Sequence, residues 1–405
     1  MMIKTRKLVV LMGALLLSLS LAAGSVNASV GKVFSDQGVG GSQSLLLTSE
    51  GKVISFGDNG MGQLGLGNSV STPMPQVING LTDVVAVSSG VNFSLALKSD
   101  GTVWAWGTNS MGQLGDGTKT KRLSPVKVSG LTNVIAITSS NSHSMALKSD
   151  GTVWSFGGNG SGELGLGNNT SYTTPQQIPN LGNVASITSG NYHSVAVKND
   201  GTVWVWGSNI FGQLGDGKVG MNFNASSPKQ VAGLTNVVNV NAGIGHNLAL
   251  KSDGTVWAWG DNSQGQLGDG TKTRRLVPTK MPSHQSFVAV GAGGYSSFGL
   301  KENGTLWAWG NNNAGQLGIG TAGAEVLERL GLTGTVAPIT QISSPRQIAS
   351  DVRKINIVSQ HAFAIKTDNT VIAWGKNEFG QLGDGTYTFR ITPSVVFSNT
   401  SDWNY

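Results

Sequence analysis

Beyond the first thirty residues, the apolar positions fall in short runs separated by glycine-rich polar segments, the pattern of strands and turns rather than of helices. In one representative stretch, Asp83 to Val87, Phe93 to Lys98, Thr102 to Trp106 and Pro125 to Val128 read as four successive strands. Between the second and third stands Ser99-Asp100-Gly101-Thr102, and Asp-Gly suits a two-residue hairpin turn because both positions tolerate positive φ. The same dipeptide returns at Asp150-Gly151, Asp200-Gly201 and Asp253-Gly254. Third strands such as Val103-Trp104-Ala105-Trp106 are apolar on both faces, which predicts sheets sandwiched between other sheets. Helical periodicity is confined to Ala324 to Leu330.

The strands recur as a unit. The string from Trp104 to Gly115 returns along the chain, its first glycine falling at Gly57, Gly107, Gly157, Gly207, Gly260, Gly310 and Gly375. The spacings are 50, 50, 50, 53, 50 and 65 residues, too short for an independent fold but right for a four-stranded propeller blade. The expected fold is therefore all-β: a seven-bladed β-propeller of four-stranded antiparallel blades, closed by the degenerate first unit, around Val33 to Leu47, meeting the last, around Ile372 to Val396.

Composition changes this picture at two points. The chain has no cysteine, so disulfides, thiolate metal sites and cysteine nucleophiles are excluded. At the N-terminus, Lys4, Arg6 and Lys7 precede the apolar run Leu8 to Ala23, which ends in Val26-Asn27-Ala28, the three-part pattern of a secretory signal peptide. Residues 1–28 are expected to be cleaved as a leader, leaving 29–405 as a single propeller domain that is secreted, with no membrane attachment through a remaining span and with cell-wall association as an open variant. Losing the leader leaves 24 basic against 21 acidic residues, a net charge of +3, which argues against nucleic acid as a partner.

The Gly-x-Asn-x-x-Gly-Gln-Leu-Gly core, as in Gly207 to Gly215, resembles the signature of the regulator of chromosome condensation repeat family of seven-bladed propellers. So does Ser189-Gly190-Asn191-Tyr192-His193-Ser194 at the start of a second strand. Seven copies between Val33 and Val396 make the resemblance specific for fold. It implies no single function, since such propellers include a nuclear nucleotide exchange factor, a plant ultraviolet-B photoreceptor and a secreted bacterial β-lactamase inhibitor. The leader makes this chain most similar to the secreted bacterial type, yet the shared motifs are scaffold residues and carry no binding residue across.

Four constellations offer chemistry. His143, His193, His246 and His361 occupy one ring position, which Gln43, Phe93 and Ser296 take in other units. Bracing the blades explains that repetition better than a channel metal or a general base, and no metal, cofactor or catalytic residue is assigned. Ten of the eleven tryptophans sit in third strands, which points to packing rather than photochemistry. The Ser-Asp-Gly-Thr turns lack the spacing of a sialidase Asp box, and no unit gains the paired carboxylates of a glycosidase. Asp116, Asp216, Asp269 and Asp384 read as turn formers, and Lys119-Thr120-Lys121-Arg122 and Lys272-Thr273-Arg274-Arg275 as solvated loops of use to an acidic partner.

Function is expected where the units differ. The insertions Lys218 to Ser227 and Ala322 to Ser344 both fall between third and fourth strands, on the face that also carries the turns between first and second strands. That face collects Asn92, Tyr192, Tyr295 and Gln360 near the channel mouth, with Phe211 and Phe379 at loop tips, and these six form the candidate partner-binding set. The expectation is a monomeric, non-enzymatic scaffold binding another macromolecule, a protein first and a glycan or cell-wall polymer as the alternative.

Overall fold

The computed structural model describes residues 41–282 and 286–398. The leader and its cleavage point, the start of the first unit from Val33, His284 and Trp403 lie outside the described residues. Seven antiparallel sheets follow one another along the chain, each with its strands in sequence order, as expected of a seven-bladed propeller. Blade 1 contains Gln43–Leu47, Val53–Gly57 and Thr72–Val77, three strands among the described residues. Blade 2 contains Val84–Gly90, Phe93–Lys98, Val103–Gly107 and Arg122–Lys127. Blades 3, 4 and 5 repeat this pattern from Val134, Val184 and Val237 to Gln177, Gln230 and Lys280. Blade 6 runs from Phe287 to Ala349 and blade 7 from Val352 to Phe397.

Second and third strands are buried on both sides, and the fourth strands alternate half-buried and exposed positions, because only the outermost strand faces water. The apolar clusters lie between blades. Leu45, Leu47 and Val53 of blade 1 pack with Val84, Val87 and Trp106 of blade 2, and similar clusters fill the later joints. The ring closes as expected: Leu46, Ile54 and Phe56 of blade 1 pack with Phe363, Val371 and Leu382 of blade 7, and Phe397 meets Phe56 edge-on.

The hairpins between second and third strands differ from the sequence expectation. Asp100 does not adopt positive φ; Gly101 alone does, at +76°, and its N–H bonds the Lys98 carbonyl. The turn is thus a three-residue connection ending in a left-handed residue, the type whose twist also suits a hairpin. Asp100 accepts from both the N–H and the hydroxyl of Thr102, at 2.9 and 2.6 Å. In blade 7 Asn369 takes the left-handed position, with φ +70°.

Candidate functional site

With strands running up and down each blade, one face of the ring, here the upper face, carries both the turns between first and second strands and the long loops between third and fourth strands. The repeated motif builds those loops. Asn209 is buried; its Oδ1 accepts from the Leu214 N–H at 3.0 Å while its Nδ2 donates to the Lys218 carbonyl and Asp216, so one amide holds both ends of the loop. Gly207 lies at φ +98°, and a Cβ there would sit 2.5 Å from the Tyr192 carbonyl, which is why the motif opens on glycine.

The motif glutamine clamps neighbouring blades. The Gln213 carbonyl of blade 4 accepts from Asn247 Nδ2 and Trp259 Nε1 of blade 5, both at 2.9 Å. The Gln63, Glu163 and Gln266 carbonyls likewise each accept a serine hydroxyl and an indole N–H from the next blade. The ring histidines complete these joints. His143 Nε2 lies 2.9 Å from Ser194 Oγ, whose only proton is committed to the Glu163 carbonyl, so the imidazole is the donor. His193 reaches Asn247 Oδ1, His246 reaches Ser297, and His361 reaches Ser44 across the closure, at 2.8 to 2.9 Å. The expectation was that each histidine braces its own blade; the histidines instead reach a side chain of the next blade, bracing joints rather than blades.

All four imidazoles are buried, which pushes their pKa values down to about 3 for His143 and His361 and about 4 for His193 and His246. They are therefore neutral struts in the physiological range. Asp116, Asp269 and Asp384 accept from threonines two residues on and pair with Arg122, Arg275 and Arg390 at 2.5 to 2.7 Å, so they do form turns and they absorb one arginine from each basic cluster.

All six candidate residues lie on the upper face, with unequal exposure. Tyr192, Gln360 and Phe379 are exposed, while Asn92, Tyr295 and Phe211 are half-buried. Asn92 adopts φ +62° and its Oδ1 lies 3.3 Å from Gln63 Nε2. The Tyr192 hydroxyl accepts from Asn141 Nδ2 at 2.5 Å. Burial, and then the nearby Asp261, raise the pKa of Tyr295. Phe211 packs against Gly245 with the Arg274 guanidinium 5.6 Å above its ring.

The structure adds residues that the sequence reading passed over. Met61, Met111 and Ile210 at motif-loop tips, and Met221 and Phe223 on the first insertion, expose between 37 % and 71 % of their surface. Their signal was available: Met61 and Met111 share the tip position of Phe211 and Phe379, Ile210 stands where other units carry Gly, Ser, Asn or Glu, and Met221 and Phe223 fall in the insertion itself. The second insertion packs against the loops of blades 6 and 7. It forms a short helix, α1 (Ala324–Arg329), whose Val326 and Leu327 are buried with Ala322 and Phe389, and Arg329 pairs with Glu378 of blade 7 at 2.5 Å.

Residues 23–331 match the RCC1-like domain, and residues 303–365 and 352–381 match the regulator of chromosome condensation (RCC1) repeat. Protein pim1 of Schizosaccharomyces pombe is 42 % identical over 65 residues, 16 % of this chain and 12 % of that protein. The human E3 ubiquitin-protein ligase HERC2 is 30 % identical over 177 residues, 42 % of this chain and 3 % of that protein, so the match spans a small part of either relative. Among solved structures, Prp20p of Saccharomyces cerevisiae, reported with its binding to Gsp1p and histones, superposes with a TM-score of 0.75 at 22 % identity, covering 94 % of this chain and 92 % of that one. Yeast RCC1 (Prp20) bound to Kap60 gives 0.74 at 21 % identity, covering 95 % and 91 %. At these identities the superpositions speak for the fold, and with the domain match extending over most of the sequence, the chain belongs to the RCC1-like domain family.

Proposed function

We propose that the chain is a secreted, monomeric, non-enzymatic scaffold that binds another protein through its upper face. The observation that carries this reading is the crown of exposed apolar tips, Met61, Met111, Tyr192, Ile210 and Phe379 with Met221 and Phe223, set on loops that the buried motif holds rigid. Rigid aromatic and methionine side chains bury much area at small entropic cost, the composition of protein contact surfaces. The residues that would suggest catalysis are already committed, the histidines to the joints and the loop aspartates to threonine and arginine. Lys119, Lys121 and Lys272 have no ion-pair partner among the described residues and stand in loops of the same face, which suits a partner with an acidic rim. The binding of Kap60, Gsp1p and histones by related propellers is in keeping with a protein partner.

The test uses residues 29–405 as bait against culture medium and cell extract. A protein captured by the parent and lost by a Tyr192→Ala, Phe379→Ala double variant is the expected result. Capture untouched by that variant contradicts the assignment of the face, and glycan binding with no protein captured overturns the reading.

A further inference from the structure

Five blades carry a large side chain at the second position of the third strand: Trp104, Trp154, Trp204, Trp257 and Trp307. Each indole faces the preceding blade and lies under the lysine that ends its own second strand, with the ammonium 4.1 to 5.9 Å from the ring centroid. In three of them the indole N–H reaches the hydroxyl of the hairpin threonine: Trp154 to Thr152, Trp204 to Thr202 and Trp307 to Thr305, at 3.1 to 3.3 Å. A buried leucine from the connection between blades fills the same joint at Leu81, Leu131, Leu181 and Leu234.

The joint between blades 6 and 7 has lost both. The tryptophan position is Ile372. The connection is two residues shorter: nine positions separate Pro125 from Val134, but seven separate Pro345 from Val352, and the leucine falls in the deletion. A cavity of about 600 Å³ opens there, its apolar side formed by Ile319, Ile348, Ala349 and Ile372, with Arg346, Gln347 and Asp368 among its polar lining and Lys366 and Thr370 at one end. Lys366 and Thr370 are the counterparts of the lysine and threonine that elsewhere hold the indole. Lys366 also lies 3.9 Å from Asp351, as Lys98 does from Asp83 while still covering Trp104, so the ion pair does not take the lysine away from a ring.

We infer that this cavity is a binding site for an indole ring: the apolar side formed by Ile319, Ile348, Ala349 and Ile372 for the bicycle, the Lys366 ammonium over its face and the Thr370 hydroxyl for its N–H. The volume lies in the range of small-ligand pockets, and the cavity is open to the outer rim of the ring, so the indole comes either from a free small molecule or from a tryptophan side chain of another protein.

The test titrates free indole, and separately N-acetyl-tryptophanamide, into residues 29–405 while saturation transfer to the ligand is read by NMR. Saturable binding at about millimolar concentration or below is expected for at least one probe. Tighter binding of the capped amino acid points to a protein source and tighter binding of indole to a small molecule. Ile372→Trp should abolish binding by rebuilding the repeat's own occupant, and Ala349→Leu supplies a second filling variant if the first does not fold. Lys366→Gln and Thr370→Val should each weaken binding about 3- to 10-fold. No saturation by either probe up to about 10 mM, or binding unchanged in a folded filling variant, overturns the inference.

Discussion

At the residue scale, one substitution within the repeat carries a measurable electrostatic cost. Six units have glutamine in the motif and the third has Glu163, buried and without a cationic partner among its hydrogen bonds; burial raises its pKa despite a 2.7 Å bond from the Ser161 N–H. A carboxyl whose folded pKa is raised destabilises the fold as pH climbs through its unfolded value of 4.5. Glu163→Gln keeps the acceptor and removes the charge, so it should stabilise by about 1 kcal/mol at pH 7, with no gain below pH 4, in denaturant titrations at the two pH values. The histidines act in the opposite sense. Their folded pKa values lie below the unfolded value of 6.5, so their contribution is complete above pH 6.5 and erodes as pH falls toward 3 or 4. His143→Gln should flatten that part of the stability profile, since Gln43 already serves at the same ring position by donating to the Gly90 and Phe93 carbonyls at 2.7 and 3.1 Å. A profile that keeps its full slope would place the acid sensitivity elsewhere.

At the element scale, the strands and their order were legible because each apolar run is short, repeated and bounded by turn residues, and the helix at Ala324 was legible from its period. The hairpin type was not: Asp-Gly is compatible with two turns, and the choice rests on whether aspartate takes positive φ or accepts from the threonine two residues on, a bond that sequence spacing does not display. The same limit hid the histidines' true partners, since Ser194 and Asn247 are 51 and 54 residues away in the chain. It also hid the packing role of the second insertion, whose Ala322 and Leu327 are buried against Ala314 and Phe389. Excising residues 322–340 should therefore lower stability by about 2 to 4 kcal/mol through exposure of Phe389 and its neighbours, read as a fall in denaturation midpoint; an unchanged midpoint would mean that the helix only rests on the blade.

At the scale of the whole molecule, the proposed reading divides stability and recognition between two sets of residues, and the ring makes the first set collective. Blade 7 supplies the Gln381 carbonyl and His361 that hold Ser44 of blade 1, at 2.7 and 2.8 Å, the bracket that the other joints repeat. Deleting the residues after Phe379 removes that carbonyl, Leu382 and the fourth strand Arg390–Phe397, and should abolish the parental cooperative melting transition in calorimetry; a variant that melts like the parent would contradict a closed ring. The candidate face was legible in part. Tyr192 was visible because most units carry a small or polar residue at its position, and Phe379 because it is a large apolar side chain at a loop tip, whereas the separation of exposed Phe379 from packed Phe211 depends on Gly245 and Arg274 of the next blade. The division of roles is tested most directly by measuring, on the same preparations, the melting temperature and the affinity for the protein captured by the parent for two variants. His193→Ala should lose about 2 to 4 kcal/mol of stability and keep its affinity, while Tyr192→Ala should keep its melting temperature and lose about 1 to 3 kcal/mol of binding. Binding lost by the histidine variant at unchanged stability would place the functional site in the channel and contradict the account.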